Sequence, residues 1–152
     1  MATSTQPELP GAPLLFGDLL ALARRSWIRQ MASGLEQLGY DDYRPTDAVV
    51  FRRLLRGPVA VGRLDEVLGA SRQAARKVVE GLERRSYAAT ERDPKDARRL
   101  IVSLTPVGRT YAEAVVNVIE SLNEGLATSV APGDLAAART VLLAVLAGID
   151  DR

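Results

Sequence analysis

Residues 57–109 read GPVAVGRLDEVLGASRQAARKVVEGLERRSYAATERDPKDARRLIVSLTPVGR, and this stretch decides the fold. Ser71 opens a helix predicted to run to about Arg85, because a serine hydroxyl can accept from an otherwise orphan N–H of the first turn. At about 100° per residue, Arg72, Gln73, Arg76, Lys77 and Glu80 share one face of that helix, and Ala74, Ala75, Val78, Val79 and Leu82 share the other. Before it, Val59-Ala60-Val61 is extended and Gly62 to Leu68 forms a short helix closed by Gly69. After it, residues 87–92 and 99–105 read as strands around Asp93-Pro94-Lys95-Asp96. That is a turn sequence with a cause, since proline presets φ and aspartate bonds its own backbone. The order is helix, short turn, helix, then a hairpin with a charged tip.

Outward from this stretch, Leu14 to Leu38 carries Leu15, Leu19, Leu22, Trp27, Met31 and Leu35 at spacings of mostly three to five. A long helix ended by Gly39 is predicted. Pro45 and Asp47 open a helix through Leu55, with Gly57-Pro58 as its stop. Residues 1–13 hold three prolines and read as a mobile tail. Two helices, about 106–130 and 132–150, finish the chain, with Pro132 in the first turn of the last. In the first of them Val107, Tyr111, Ala114, Val118, Leu122, Leu126 and Val130 recur at helical spacing. The expected class is mainly α (α+β): a winged helix–turn–helix domain over 45–109, with N-terminal (14–44) and C-terminal (110–152) helices forming a dimerisation domain. Those flanks hold more apolar surface than a small winged domain covers. Leu15, Leu19, Leu135, Leu142, Val145, Leu146 and Ile149 are therefore the expected homodimer interface; the alternative is intramolecular core, and some of the apolar flank residues must be core.

Composition narrows the function. The chain has 152 residues, enough for one domain with an attached dimerisation element. Apolar residues are 47%, so disorder throughout is excluded, and aromatics are only 5%, so Leu, Val and Ala build the core. There is no cysteine and no histidine. Disulfides, thiol nucleophiles, Cys/His zinc sites and histidine acid–base catalysis are thereby excluded. With no glycine-rich phosphate loop and no carboxylate pair on an apolar surface, the chain does not read as an enzyme, and no cofactor or metal is expected. No apolar run reaches the roughly 18 residues of a membrane span, so a cytoplasmic protein is expected. The net charge of +1 hides an asymmetry: Arg52 to Arg109 holds 14 basic against 7 acidic residues, and the remainder 6 against 12. A basic block sits between acidic ends. Arginine supplies 18 of the 20 basic residues, so its abundance alone says nothing about bidentate recognition.

The block suits double-stranded DNA. In a major groove Gln73 can bond adenine, Arg72 or Arg76 can bond guanine, and Lys77 can neutralise phosphate. Ser71 stands at the helix N-terminus, which favours anions. On the hairpin, Lys95, Arg98 and Arg99 surround Asp96, and an arginine on a protruding hairpin can enter a narrow minor groove. Taken singly, each feature is equally an ordinary solvated face. An alternative is a winged-helix interaction module whose basic block meets an acidic protein.

The stretch also resembles the MarR/SlyA-type transcriptional regulators. The hairpin run DPKDARRLIVSLTPVGR fits the family pattern at Asp96, Arg98, Val102, Leu104, Thr105 and Gly108. Upstream, Ser71-Arg72-Gln73 resembles the opening of the family's recognition helix. The resemblance implies that Arg98 reaches the minor groove, that Asp96 orients the wing through an ion pair, and that Thr105 caps the next helix. It implies a dimer on a pseudo-palindromic operator, a repressor being the first expectation, released by a small aromatic or hydrophobic effector. Arg24, Trp27 and Met31, one helical turn apart, are the candidates for that effector: Trp27 to stack and Arg24 to pair with a carboxylate. Trp27 and Met31 are equally readable as core or dimer contacts. Two departures stand out. Ser86 occupies the place of the family's glycine after the recognition helix, where φ is positive, and Thr90 and Glu91 stand where a basic residue is common.

Overall fold

The computed structural model describes residues 13–150, the last two in their backbone alone. Most of the predicted tail, 1–12, and the side chain of Ile149 lie outside the described residues. The chain divides after Pro45 into two units. The first holds α1, Phe16–Glu36. Its start is fixed by Asp18, whose carboxylate accepts from the Leu15 N–H at 3.0 Å. Its end follows from Gly39 at φ 90°, which lets the Tyr40 N–H turn back to the Leu35 carbonyl at 3.0 Å. Met31 and Leu35 are fully buried, whereas Leu15, Phe16 and Leu19 are exposed.

The second unit runs α2 (Asp47–Leu54), β1 (Val59–Ala60), a 3-10 turn (Val61–Arg63), α3 (Leu64–Leu68), α4 (Arg72–Arg84), β2 (Ala88–Asp93), β3 (Asp96–Leu104), α5 (Pro106–Ser129) and α6 (Asp134–Asp150). The strands form one antiparallel sheet in the order β1-β3-β2. Val102 faces Val59 on one side and Thr90 on the other and is fully buried. The core gathers Val50, Phe51 and Leu54 of α2, Leu64 of α3, Ala75, Val79 and Leu82 of α4, and Tyr111, Ala112 and Val115 of α5. Each fully buried aliphatic or aromatic side chain contributes about 1.5–3 kcal/mol. The mainly α class with a winged hairpin is thus the observed one. No single helix among the described residues is long and apolar enough to cross a membrane.

Three local features differ from expectation. The hairpin strands extend to Asp93 and from Asp96, so the connection shrinks to Pro94-Lys95. Asp93 tightens it by accepting from the Lys95 N–H at 2.8 Å. The piece before α3 is 3-10 rather than α. Pro132 lies ahead of the last helix instead of in its first turn: Gly133 takes φ 97°, and α6 starts at Asp134, whose carboxylate accepts from the Ala131 N–H at 3.1 Å.

The junction between wing and α5 is tightly built. The Thr105 hydroxyl accepts from the Gly108 N–H at 3.0 Å, capping α5, and donates to the Ser86 carbonyl at 2.6 Å. The Thr105 N–H reaches the Tyr87 carbonyl at 3.1 Å. Gly108 makes this approach possible, since a Cβ there would lie 1.7 Å from that same Tyr87 oxygen.

Candidate nucleic-acid interface

Ser71 caps α4 as its type requires, its hydroxyl accepting from the Ala74 N–H at 3.2 Å. The helix then buries Ala75, Val79 and Leu82 and exposes Arg72, Gln73, Arg76, Lys77 and Glu80. That is the amphipathic split predicted from the sequence, and it fixes which side chains face out. Opposite them stands the wing. Its tip is held by Arg92, whose guanidinium donates to the Ala97 carbonyl at 2.7 Å. Asp96 accepts from the Arg98 N–H at 3.1 Å. Its carboxylate lies 3.6 Å from Arg99, so the ion pair at the tip is made with Arg99 while Asp96 holds Arg98 only through the backbone.

Between α4 and the wing lies an open groove of about 1030 Å³. Arg72, Gln73 and Arg76 line it from the helix, and Arg98 and Arg99 from the wing. Five residues named from two separate motifs therefore share one surface. Ser71 and Lys77 are exposed on α4, and Lys95 at the wing tip, outside the groove lining. Arg63, from the 3-10 turn, joins the groove as well and was not singled out from sequence; its membership of the basic block is the only signal for it. Glu80 and Glu83 also line the groove, and Glu83 accepts a hydrogen bond from Thr90 on the wing.

The groove's five arginines differ in how they are held, and Arg99 is paired with Asp96 at the wing tip. Among the described residues neither Arg76 nor Arg98 is paired with a carboxylate. Arg72 lies 3.5 Å from Asp65 of α3, and Arg63 lies 3.5 Å from Glu66. Both are surface pairs, worth between nothing and about 1 kcal/mol, so a phosphate can displace either. A groove lined by a glutamine and arginines of one helix presents the donors that base edges and phosphates accept.

At the C-terminal end of α4 lies a polar cluster that no sequence motif marks. Asp47, at the start of α2, is 1% exposed. Both of its oxygens accept from Arg85, at 2.9 and 2.8 Å, and Oδ2 also accepts from the Tyr111 hydroxyl at 2.9 Å. The Tyr87 and Tyr111 rings stack at 4.3 Å, Phe51 meets both edge-on, and the Arg85 guanidinium lies 5.0 Å from the Tyr87 ring centre. Removing one partner from a buried pair of this kind costs about 3–5 kcal/mol, because the other charge is stranded. Asp47 and Arg85 are 38 positions apart, and no motif links them.

Of the effector candidates on α1, Arg24 is exposed, Trp27 half-buried and Met31 fully buried. Full burial of Met31 accords with the alternative reading of it as a core residue. Of the dimer candidates, Leu15, Leu19, Leu135, Leu142 and Leu146 are exposed and Val145 is half-buried.

No protein-family model and no curated protein matches the chain by sequence. Solved structures do match. A probable transcriptional regulator from Pseudomonas aeruginosa is 25% identical, with TM-score 0.72 over 86% of this chain and 96% of that one. A mutant MarR from E. coli, solved with operator DNA, is 20% identical, with TM-score 0.72 over 86% and 92%. The chain has the MarR-type winged-helix fold. The PcaV transcriptional regulator from Streptomyces coelicolor, solved with its natural ligand, matches the chain with TM-score 0.73 at 20% identity, over 96% and 97%. In this fold α3 and α4 form the helix–turn–helix and the β2–β3 hairpin is the wing.

Proposed function

We propose that the chain is a sequence-specific DNA-binding transcriptional regulator that acts as a homodimer on a pseudo-palindromic operator. The observation that carries this reading is the shared groove: Arg72, Gln73 and Arg76 of the recognition helix and Arg98 and Arg99 of the wing line one surface. The recognition helix enters the major groove, with Gln73, Arg72 and Arg76 on base edges and Lys77 and Ser71 toward phosphates. Arg98 enters the adjacent minor groove, and Lys95 and Arg99 flank it on the backbone. A likeness to a MarR solved with operator DNA supports the reading.

Dimerisation is supported by α6, whose described side chains are all exposed apart from Val145. Leu142, Leu143 and Leu146 lie bare on it, an apolar surface that an isolated chain leaves in water. A two-fold partner covers it and sets two recognition helices about 34 Å apart, one turn of DNA. We further read the chain as a repressor released by a small aromatic or hydrophobic effector near Arg24 and Trp27, which the likeness to a ligand-bound PcaV supports. Selection of bound sequences from random duplex DNA, followed by a mobility shift under competitor, tests the central reading. A pseudo-palindrome with two half-sites about 10 base pairs apart is expected; recovery of unrelated sequences at equal affinity overturns it. Aromatic acids that leave both Trp27 fluorescence and operator affinity unchanged overturn the effector reading alone.

A further inference from the structure

The Asp47–Arg85–Tyr111 cluster adds nothing to the groove surface, yet it holds the far end of the helix that lines it. Arg85 is the residue on which α4 ends. Asp47 of α2 grips its guanidinium on both outer nitrogens, and Tyr111 of α5 donates to the same carboxylate. One residue on, Ser86 takes φ 61°, and its carbonyl is held by the Thr105 hydroxyl. One carboxylate thus ties α2, α5 and the end of α4 together inside an apolar core.

Apolar packing would hold the helix equally well, but without direction. A two-pronged carboxylate–guanidinium pair is planar and fixes an orientation. Orientation matters here because α4 has 13 residues; at about 1.5 Å per residue it is a lever of about 20 Å, and a tilt of about 5° at Arg85 moves Arg72 by about 1.7 Å. Hydrogen bonds to base edges span only about 2.7–3.2 Å and do not survive such a shift. Flexible cations near phosphates do.

We propose that Asp47 is a positioning residue for DNA recognition, orienting the recognition helix through Arg85 so that Arg72, Gln73 and Arg76 meet base edges in register with the wing. This rests on the DNA-binding reading above.

The test begins with an operator selected from random DNA by the wild-type chain. Affinities for that operator and for a scrambled duplex of equal composition are then measured for wild type, Asp47→Asn, Arg85→Lys and Tyr111→Phe, each below its own melting temperature. Asp47→Asn is expected to lower the operator-to-scrambled ratio about ten-fold or more and Tyr111→Phe about three-fold, with scrambled-duplex affinity and salt slope unchanged. A merely structural role lowers melting temperature and leaves that ratio at the wild-type value in every folded variant; this result overturns the proposal. Should Asp47→Asn not fold, Tyr111→Phe, which loses one hydroxyl and no charge, decides with Arg85→Lys: unchanged ratios in both overturn it. A wild-type chain that selects no operator overturns the DNA-binding reading and the proposal with it. An operator with unchanged ratios overturns the proposal alone.

Discussion

Two arginines that line one groove are proposed to carry different kinds of information. In the proposed complex Arg76, on α4, meets a base edge, and Arg98, on the wing, the electrostatic potential of a narrow minor groove. Arg76→Ala is expected to cost about 1–3 kcal/mol on the selected operator and little on scrambled DNA. Arg98→Ala should weaken binding on both, and more where the flanking minor groove is narrow. Competition assays on the two duplexes separate these outcomes, and equal losses for both variants on both DNAs count against the assignment. Ser86 poses a different problem. It is the one described non-glycine residue with positive φ, at 61°. That conformation costs an L-residue about 1–2 kcal/mol, whereas glycine loses about 0.5–1 kcal/mol of extra chain entropy on folding. Ser86→Gly is therefore expected to stabilise the chain by about 0.5–1 kcal/mol in urea unfolding. A lower midpoint would show that the serine side chain contributes more than its backbone costs.

At the scale of elements, the junction of α4, wing and α5 is closely constrained. Thr105 spends its hydroxyl twice, on the Gly108 N–H and on the Ser86 carbonyl. Gly108 is required by the close approach of the Tyr87 carbonyl. Gly108→Ala must push α5 from the wing and is expected to destabilise by about 2–4 kcal/mol, in the range of severe overpacking. A thermal melt within about 1 °C of wild type would mean that the junction is looser than described. The bond that Thr105 makes reaches only three residues along the chain, and its capping role was implied by the family resemblance. The acidic side of the groove was not: Glu80 was visible on the exposed helix face, but only folding brings Glu83 against Thr90 of the wing.

At the scale of the whole molecule, the exposed leucines of α6 and of the start of α1 are the dominant unsatisfied feature. Leu146 is 59% exposed. Leu142→Glu together with Leu146→Glu is expected to yield a folded monomer by sedimentation and circular dichroism. Its operator affinity should fall by about 10²-fold or more, since two half-sites are no longer bound as one. Wild type sedimenting as a 16.4 kDa species at micromolar concentration would refute the dimer. Because the groove collects five arginines, binding by wild type should weaken steeply with salt, each neutralised phosphate releasing condensed ions. A flat salt response would remove DNA from consideration and favour a protein partner for the basic block.

The amino-acid sequence by itself determined the elements and their order: Ser71 and Thr105 as caps, Gly39 and Gly69 as stops, the two faces of α4, and the charged hairpin. Those signals act over one to four residues along the chain, so they survive without knowledge of the fold. Tertiary structure alone decided which distant residues meet. It paired β1 with the far end of the wing, brought Arg63 into the groove, and closed Asp47 on Arg85 and Tyr111, 38 and 64 positions away. Burial of an aspartate is tolerable only where a guanidinium and a hydroxyl converge on it, and that convergence is a property of packed helices, not of any local pattern.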